Sequence, residues 1–254
     1  MITWASEGID ISDSQRSPLP AARMRAEGIS WVYVKASEGT TLYAKEFENH
    51  VETFYGEGFL VGAYNYWHPQ ADGGVIASAE AFCSRVYDLP AAQGLPPMCD
   101  AETRCGSEGC RAPNHKKTTG KEFVEKILQW LEKVTSELGR LPIVYLGPNF
   151  ASTLVRDGAD LTPLTKYPLL VAAYHARESQ GTIAPWNNWS IWQWTDGGQK
   201  GPKQLTGGCA VDRNRSIFTV EQLAQMGQLA PDNTHVALPI PDMWNMVRSA
   251  VGGP

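Results

Sequence analysis

Short apolar runs recur along the chain, separated by longer stretches whose apolar residues return every three or four positions. The runs lie at residues 8–12, 31–37, 59–67, 96–102, 143–147, 169–176 and 190–195, with a shorter eighth near 209–212. Most are rich in β-branched and aromatic residues and bounded by Gly or Pro, as buried parallel strands tend to be. Helices are predicted between them at 18–27, before the C-cap candidate Gly28, and at 44–55 and 75–87. The clearest helix is 119–138, where Phe123, Ile127, Trp130, Leu131, Val134 and Leu138 form one stripe and Gly139 follows. Strand–helix alternation of this kind predicts an α/β fold with a parallel sheet and right-handed crossovers. About eight strands in one unit predict closure into a TIM-like barrel.

Two segments depart from this rhythm. Residues 103–118 read as a polar loop carrying Gly106, Gly109 and Pro113. Beyond about Met226 the pattern fades, which predicts a barrel domain over 1–226 and a tail over 227–254, with no more than a short amphipathic turn near 243–251. The length of 254 residues suits a single large domain, and no internal repeat is visible. With 43% hydrophobic and 19% charged residues the chain can bury a core and is not disordered.

In Pro96-Pro97-Met98-Cys99-Asp100-Ala101-Glu102 the strand period places Met98, Asp100 and Glu102 on one side and Cys99 and Ala101 on the other. Residues two apart on a strand lie about 6.5–7 Å from each other. Two carboxyl groups at that spacing can act on one glycosidic bond, and mutual repulsion makes one of them hold its proton. Asp-x-Glu is common by chance, but this pair closes a predicted strand at its C-terminal end, where barrel active sites assemble. Asp10 and Asp212 end other strand candidates, each with helix capping or a structural ion pair as the plainer role. Cys99, pointing away from the pair, reads as a buried apolar residue rather than a nucleophile.

The blocks Gly8-Ile9-Asp10-Ile11-Ser12, Val34-Lys35-Ala36-Ser37-Glu38-Gly39-Thr40, Val61-Gly62-Ala63-Tyr64, Asp100-Ala101-Glu102, Pro142-Ile143-Val144-Tyr145, Trp192-Gln193-Trp194 and Val211-Asp212-Arg213-Asn214 follow one another over roughly residues 4–220. In this order they resemble the glycoside hydrolase family 25 lysozymes, or Chalaropsis-type muramidases. The resemblance implies a β/α barrel with fewer than eight helices. It also implies hydrolysis of the β-1,4 bond between N-acetylmuramic acid and N-acetylglucosamine in peptidoglycan. It makes Glu102 the proton donor and Asp100 its partner, as nucleophile or as the group that orients a substrate acetamide. Asp10 and Asp212 become the flanking acids, and Lys35, Tyr64, Tyr145, Tyr174, Trp192 and Gln193 the candidate substrate contacts. Where the family often has His after the tyrosine of its third strand, Asn65 stands here, on the face opposite Tyr64. Residues 104–115 look like an insertion after the acidic pair. Two rival readings share the scaffold: a chitinase-like glycosidase, disfavoured because residues 94–99 lack upstream acids, and a non-catalytic glycan-binding protein.

Charge and cysteine content narrow the partners. The formal net charge of −5 argues against nucleic acid and supplies no attraction to anionic wall polymers. Affinity for glycan strands must come from stacking and hydrogen bonding, and the 9 Trp and 9 Tyr supply rings beyond those needed in the core. No run approaches the roughly 20 apolar residues of a membrane span. Residues 1–10 lack the apolar run and basic lead of a signal peptide, so synthesis in a reducing cytoplasm is expected. With no wall-binding repeats in view, this suggests a monomeric phage endolysin that reaches the wall through a lesion made by another protein. Cys105, Cys110 and His115 have poor zinc spacing and no evident fourth ligand, so neither a metal nor a cofactor is expected. His68 is expected to make a loop hydrogen bond, and His175 to be structural.

Overall fold

The computed structural model describes residues 4–103, 117–174, 183–198 and 205–228. Eight strands close a barrel: β1 (Ser6–Ile11), β2 (Ile29–Glu38), β4 (Leu60–Tyr66), β5 (Met98–Asp100), β6 (Ile143–Leu146), β7 (Leu169–Ala172), β8 (Ile191–Thr195) and β11 (Asp212–Ser216). A short strand, β3 (Leu42–Tyr43), pairs with the end of β2, and β9 (Leu205–Thr206) and β10 (Cys209–Ala210) form a separate hairpin. The described helices are α1 (Ala21–Ala26), α2 (Phe47–Gly56), α3 (Gly74–Tyr87), α4 (Gly120–Leu138), α5 (Pro148–Arg156) and α6 (Val220–Gln225).

The expectation of a parallel sheet holds from β1 through β8 and fails at the closing strand. β11 runs antiparallel to both β8 and β1. No helical crossover lies among the described residues between β8 and β11, so the chain turns back at the same end of the barrel and re-enters it there. The eighth strand is therefore Asp212–Ser216 rather than 209–212, and Cys209 and Ala210 belong to the hairpin. Its sequence, Asp-Arg-Asn-Arg-Ser, has no apolar run to mark it. β5 and β7 also stop earlier than their apolar runs suggest, at Asp100 and Ala172.

Period-two alternation sorts every strand into two faces. The inner faces supply Trp31, Tyr33, Tyr64, Met98, Ile143, Tyr145, Leu170 and Ile191, a filled interior rather than a pore. Phe218, Leu223 and Met226, from the turn after β11 and from α6, plug one end. Arg140 closes that end further by donating to the carbonyls of Gln93, Leu95, Ala224 and Met226. The outer faces, including Ile9, Val32, Val34, Val61, Ala63, Cys99, Val144 and Val171, pack beneath the helices. α4 shows why its stripe folds: Phe123, Ile127, Trp130, Leu131 and Val134 are buried, Thr119 and Glu122 form a capping box, and Gly139 takes the left-handed C-cap at φ 63°.

Filling the interior with aromatic rings requires strand positions without side chains. A Cβ on Gly8 would fall inside the Trp31 indole, and one on Gly62 would collide with Leu95 and Tyr33. Gly8 lies outside the left-handed region, so the obstacle there is purely steric. Gly8→Ala should cost about 1–3 kcal/mol, the usual range for overpacking a core. Urea unfolding checks this, and a variant as stable as the parent would show that the Trp31 ring moves freely.

Candidate active site

The strand register sets Asp10 opposite Asp212, Asp100 opposite Tyr145, Ala172 opposite Gln193 and Gln193 opposite Asn214. These pairings lie at the barrel end away from the α6 plug, where the parallel strands finish. β11 begins at that end because it runs the other way, so its first residue, Asp212, joins the C-terminal residues of its neighbours. The mouth therefore gathers Asp10, Asp100, Glu102 and Asp212 with Tyr64, Tyr145, Tyr174 and Gln193.

A hydrogen-bonded network fixes one side of the mouth. Gln193 Oε1 accepts from Tyr145 Oη at 2.9 Å and from Tyr174 Oη at 2.7 Å. Its Nε2 donates to Asp10 Oδ2 at 2.8 Å, and Asn214 Nδ2 donates to the same oxygen at 2.8 Å. Burial pushes the Asp10 carboxyl up, while these donors and a hydrogen bond with Asp212 pull it back. For Asp212, burial, the Asp10 charge and the hydrogen bond to Asp10 all act upward, raising it to about 9. Burial and mutual repulsion thus favour the pair keeping one proton between them.

The second pair stands across the mouth. Asp100, the last residue of β5, is 6% exposed, whereas Glu102, two residues on, is exposed. Burial pushes Asp100 well above the ordinary aspartate range. The Glu102 charge and a hydrogen bond between the two carboxyls push it further, Asp10 adds to this, and Lys35 opposes it. Asp100 Oδ1 is buried without a hydrogen-bond partner among the described residues. Tyr64 and Tyr145 stand amid the acids: burial first, then the charges of Asp10, Asp100 and Glu102, raise both phenols well above the ordinary tyrosine range.

Lys35 is aimed by a charged clamp. Its Nζ lies 2.7 Å from Glu38 Oε2 and 4.7 Å above the Tyr66 ring, and Glu38 Oε1 lies 3.2 Å from His68 Nε2. His68, for which a loop hydrogen bond is expected, meets Glu38 at the end of β2. Asn65 donates to Ser37 Oγ at 2.8 Å and is fully buried on the outer face, the packing role that alternation predicts. Cys99 is a buried free thiol, pushed well up by burial.

One candidate substrate contact falls away. Trp192 is adjacent to Gln193 in β8, so alternation turns it out of the barrel. It packs with Trp4 and Trp189, and its indole N–H donates to Ala173 O at 3.0 Å. Sequence reasoning missed Asn214 and the Glu38–His68 clamp. The signal for Asn214 was present: it sits two residues after Asp212, the same spacing that pairs Asp100 with Glu102. His175 and the Cys105, Cys110 and His115 group lie outside the described residues, as do residues 229–254.

An acid-lined cleft of this kind, with one proton held in each pair and tyrosines among the carboxyls, is built for glycoside hydrolysis. Residues 9–201 match glycosyl hydrolases family 25. The Escherichia coli protein YegX is 30% identical over 234 residues, covering 87% of this chain and 73% of that protein. An N,O-diacetylmuramidase of Arthroderma benhamiae is 27% identical over 201 residues, covering 75% of this chain and 77% of that one. A bacterial lysozyme from Streptomyces coelicolor superposes with a TM-score of 0.72 at 22% identity, covering 89% of this chain and 98% of that one. The chain belongs to glycosyl hydrolase family 25, the lysozyme and muramidase family, and is a glycoside hydrolase.

The shared proton has a measurable cost. An acid whose pKa is higher in the folded state keeps a proton that the unfolded chain has lost, so it destabilises the fold as pH rises from about 3.8 to about 9. Asp212→Asn removes that titration and keeps a donor toward Asp10. Its melting temperature should fall less steeply than the parent's across that window and equal or exceed it at the alkaline end. Parallel melting curves against pH would contradict the shared proton.

Proposed function

We propose that the protein is an N-acetylmuramidase that hydrolyses the β-1,4 bond between N-acetylmuramic acid and N-acetylglucosamine in peptidoglycan. The observation that carries this reading is the exposed Glu102 hydrogen-bonded to a buried Asp100 whose environment keeps a proton in the pair. The similarity to a fungal N,O-diacetylmuramidase supports the choice of bond.

The difference in exposure supports a division of roles. Glu102 reaches substrate, so the pair's proton is delivered through Glu102 to the glycosidic oxygen as the bond to the anomeric carbon breaks with oxocarbenium character. Asp100 is buried, and its Oδ1 has no partner among the described residues, so its role in this reading is to accept from the substrate rather than to attack it. The carbonyl oxygen of the substrate's own 2-acetamido group then attacks the anomeric carbon. Asp100 Oδ1 accepts the acetamide N–H as Glu102 turns toward the leaving oxygen. Water opens the cyclic intermediate and returns a proton to Glu102. Asp10 stabilises the positive charge developing on the sugar, held in place by Gln193 and Asn214.

Glu102→Gln should keep the parent's melting temperature and lower turnover about 10²–10⁴-fold, the usual loss for a general acid. Mass spectrometry of digested peptidoglycan should show muramic acid at the new reducing ends. Glucosamine at those ends, or near-normal clearing by the variant, contradicts the proposal.

A further inference from the structure

A cavity of about 520 Å³ adjoins the catalytic mouth, between residues 12–16 after β1 and residues 42–46 leading into α2. Lys35 and Glu38 line it, so it shares a wall with the catalytic centre, where the Lys35 charge acts on Asp100. The charges around it differ in how far they are committed. The carboxylates are occupied from within: Asp13 accepts the backbone N–H groups of Lys45 and Glu46 at 3.1 and 3.0 Å. Glu38 holds Lys35 and His68, and Glu46 accepts from Asn49 at 3.3 Å and from Ser17. The cations Arg16 and Lys45 are exposed and have no side-chain partner among the described residues. Tyr43, 49% exposed, adds an apolar ring to the same wall.

A pocket with occupied anions, uncommitted cations and an exposed ring selects an anionic, partly apolar ligand, although the whole chain is acidic. Given the muramidase reading, on which this inference rests, one such group is covalently tied to the bond being cut. It is the short peptide stem on the lactyl group of the muramic sugar, in which small alanyl residues alternate with residues bearing carboxylates. An extended peptide spans at most about 3.3–3.6 Å per residue, so a stem of a few residues can cross from the mouth into an adjoining pocket. We infer that this cavity is a peptide-stem subsite, in which Arg16 and Lys45 bind stem carboxylates and Tyr43 packs against the alanyl methyls.

The test compares two substrates free of teichoic acid: stem-bearing peptidoglycan, and the same glycan stripped of stems by an amidase. Stripping turns the lactyl amide into a free carboxylate, so a loss that persists on stripped glycan would assign the two cations to that sugar acid rather than to the stem. The Arg16→Ala, Lys45→Ala double variant should lose about tenfold or more in kcat/KM on the stem-bearing substrate, as for loss of charge-assisted hydrogen bonds, and match the parent on stripped glycan. Arg16→Glu with Lys45→Glu should lose more, again on the stem-bearing substrate only. Equal losses on both substrates, or none on either, overturn the inference. So does a loss seen only on a third substrate, walls that still carry teichoic acid, which would give the pocket to a phosphate polymer. Melting temperatures equal to the parent's confirm that the variants fold. If the parent releases no reducing ends from either substrate, the muramidase reading itself fails, an outcome distinct from a parent that cuts both and ignores the stem.

Discussion

The hydrogen bond between Asp10 and Asp212 spans the seam where the barrel closes, and the site depends on that seam. Both carboxyls are largely removed from water, and two charges there would repel strongly, so the pair keeps one proton. The contact exists because β11 enters antiparallel. Had the last strand arrived by a helical crossover, its first residue would lie at the plugged end of the barrel and Asp10 would face a different partner. Chain direction at one strand thus sets the electrostatics of the mouth.

The two acid pairs solve the same problem differently. At Asp10 and Asp212 a ring of donors, Gln193, Asn214 and the shared proton, offsets part of the burial cost of the charge. At Asp100 and Glu102 one acid is buried and its partner exposed. Burial and the neighbouring Glu102 charge press the buried acid to keep a proton, while its partner reaches solvent. The tyrosines between the pairs fill space and stay un-ionised throughout the physiological range, and Tyr145 also donates to Gln193.

Much of this was legible in the sequence, because a period of two is a strong constraint. It put Asp100 and Glu102 on one side, sent Cys99 and Asn65 to the other, and marked seven of the barrel strands by their apolar faces. It was least visible where a strand is polar on both faces. β11 points Asp212, Asn214 and Ser216 inward and sends Arg213 and Arg215 outward to Glu7, so neither face shows an apolar run. The Trp192 assignment failed for the opposite reason: motif proximity to Gln193 outweighed the alternation that separates them. The Lys35–Glu38–His68 clamp joins residues from two strand ends, 30 positions apart for Glu38 and His68, and no local pattern announces it.

The alternation in β11 also limits how this enzyme can diverge. Its inward side chains serve the mouth, and its outward arginines bind Glu7 and stack over Trp194, Arg215 at 4.6 Å. Losing or gaining a single residue within β11 would exchange the two sets, sending guanidinium groups inward and acids onto the aromatic surface. The strand can therefore be edited by substitution, or by changes of two residues at a time.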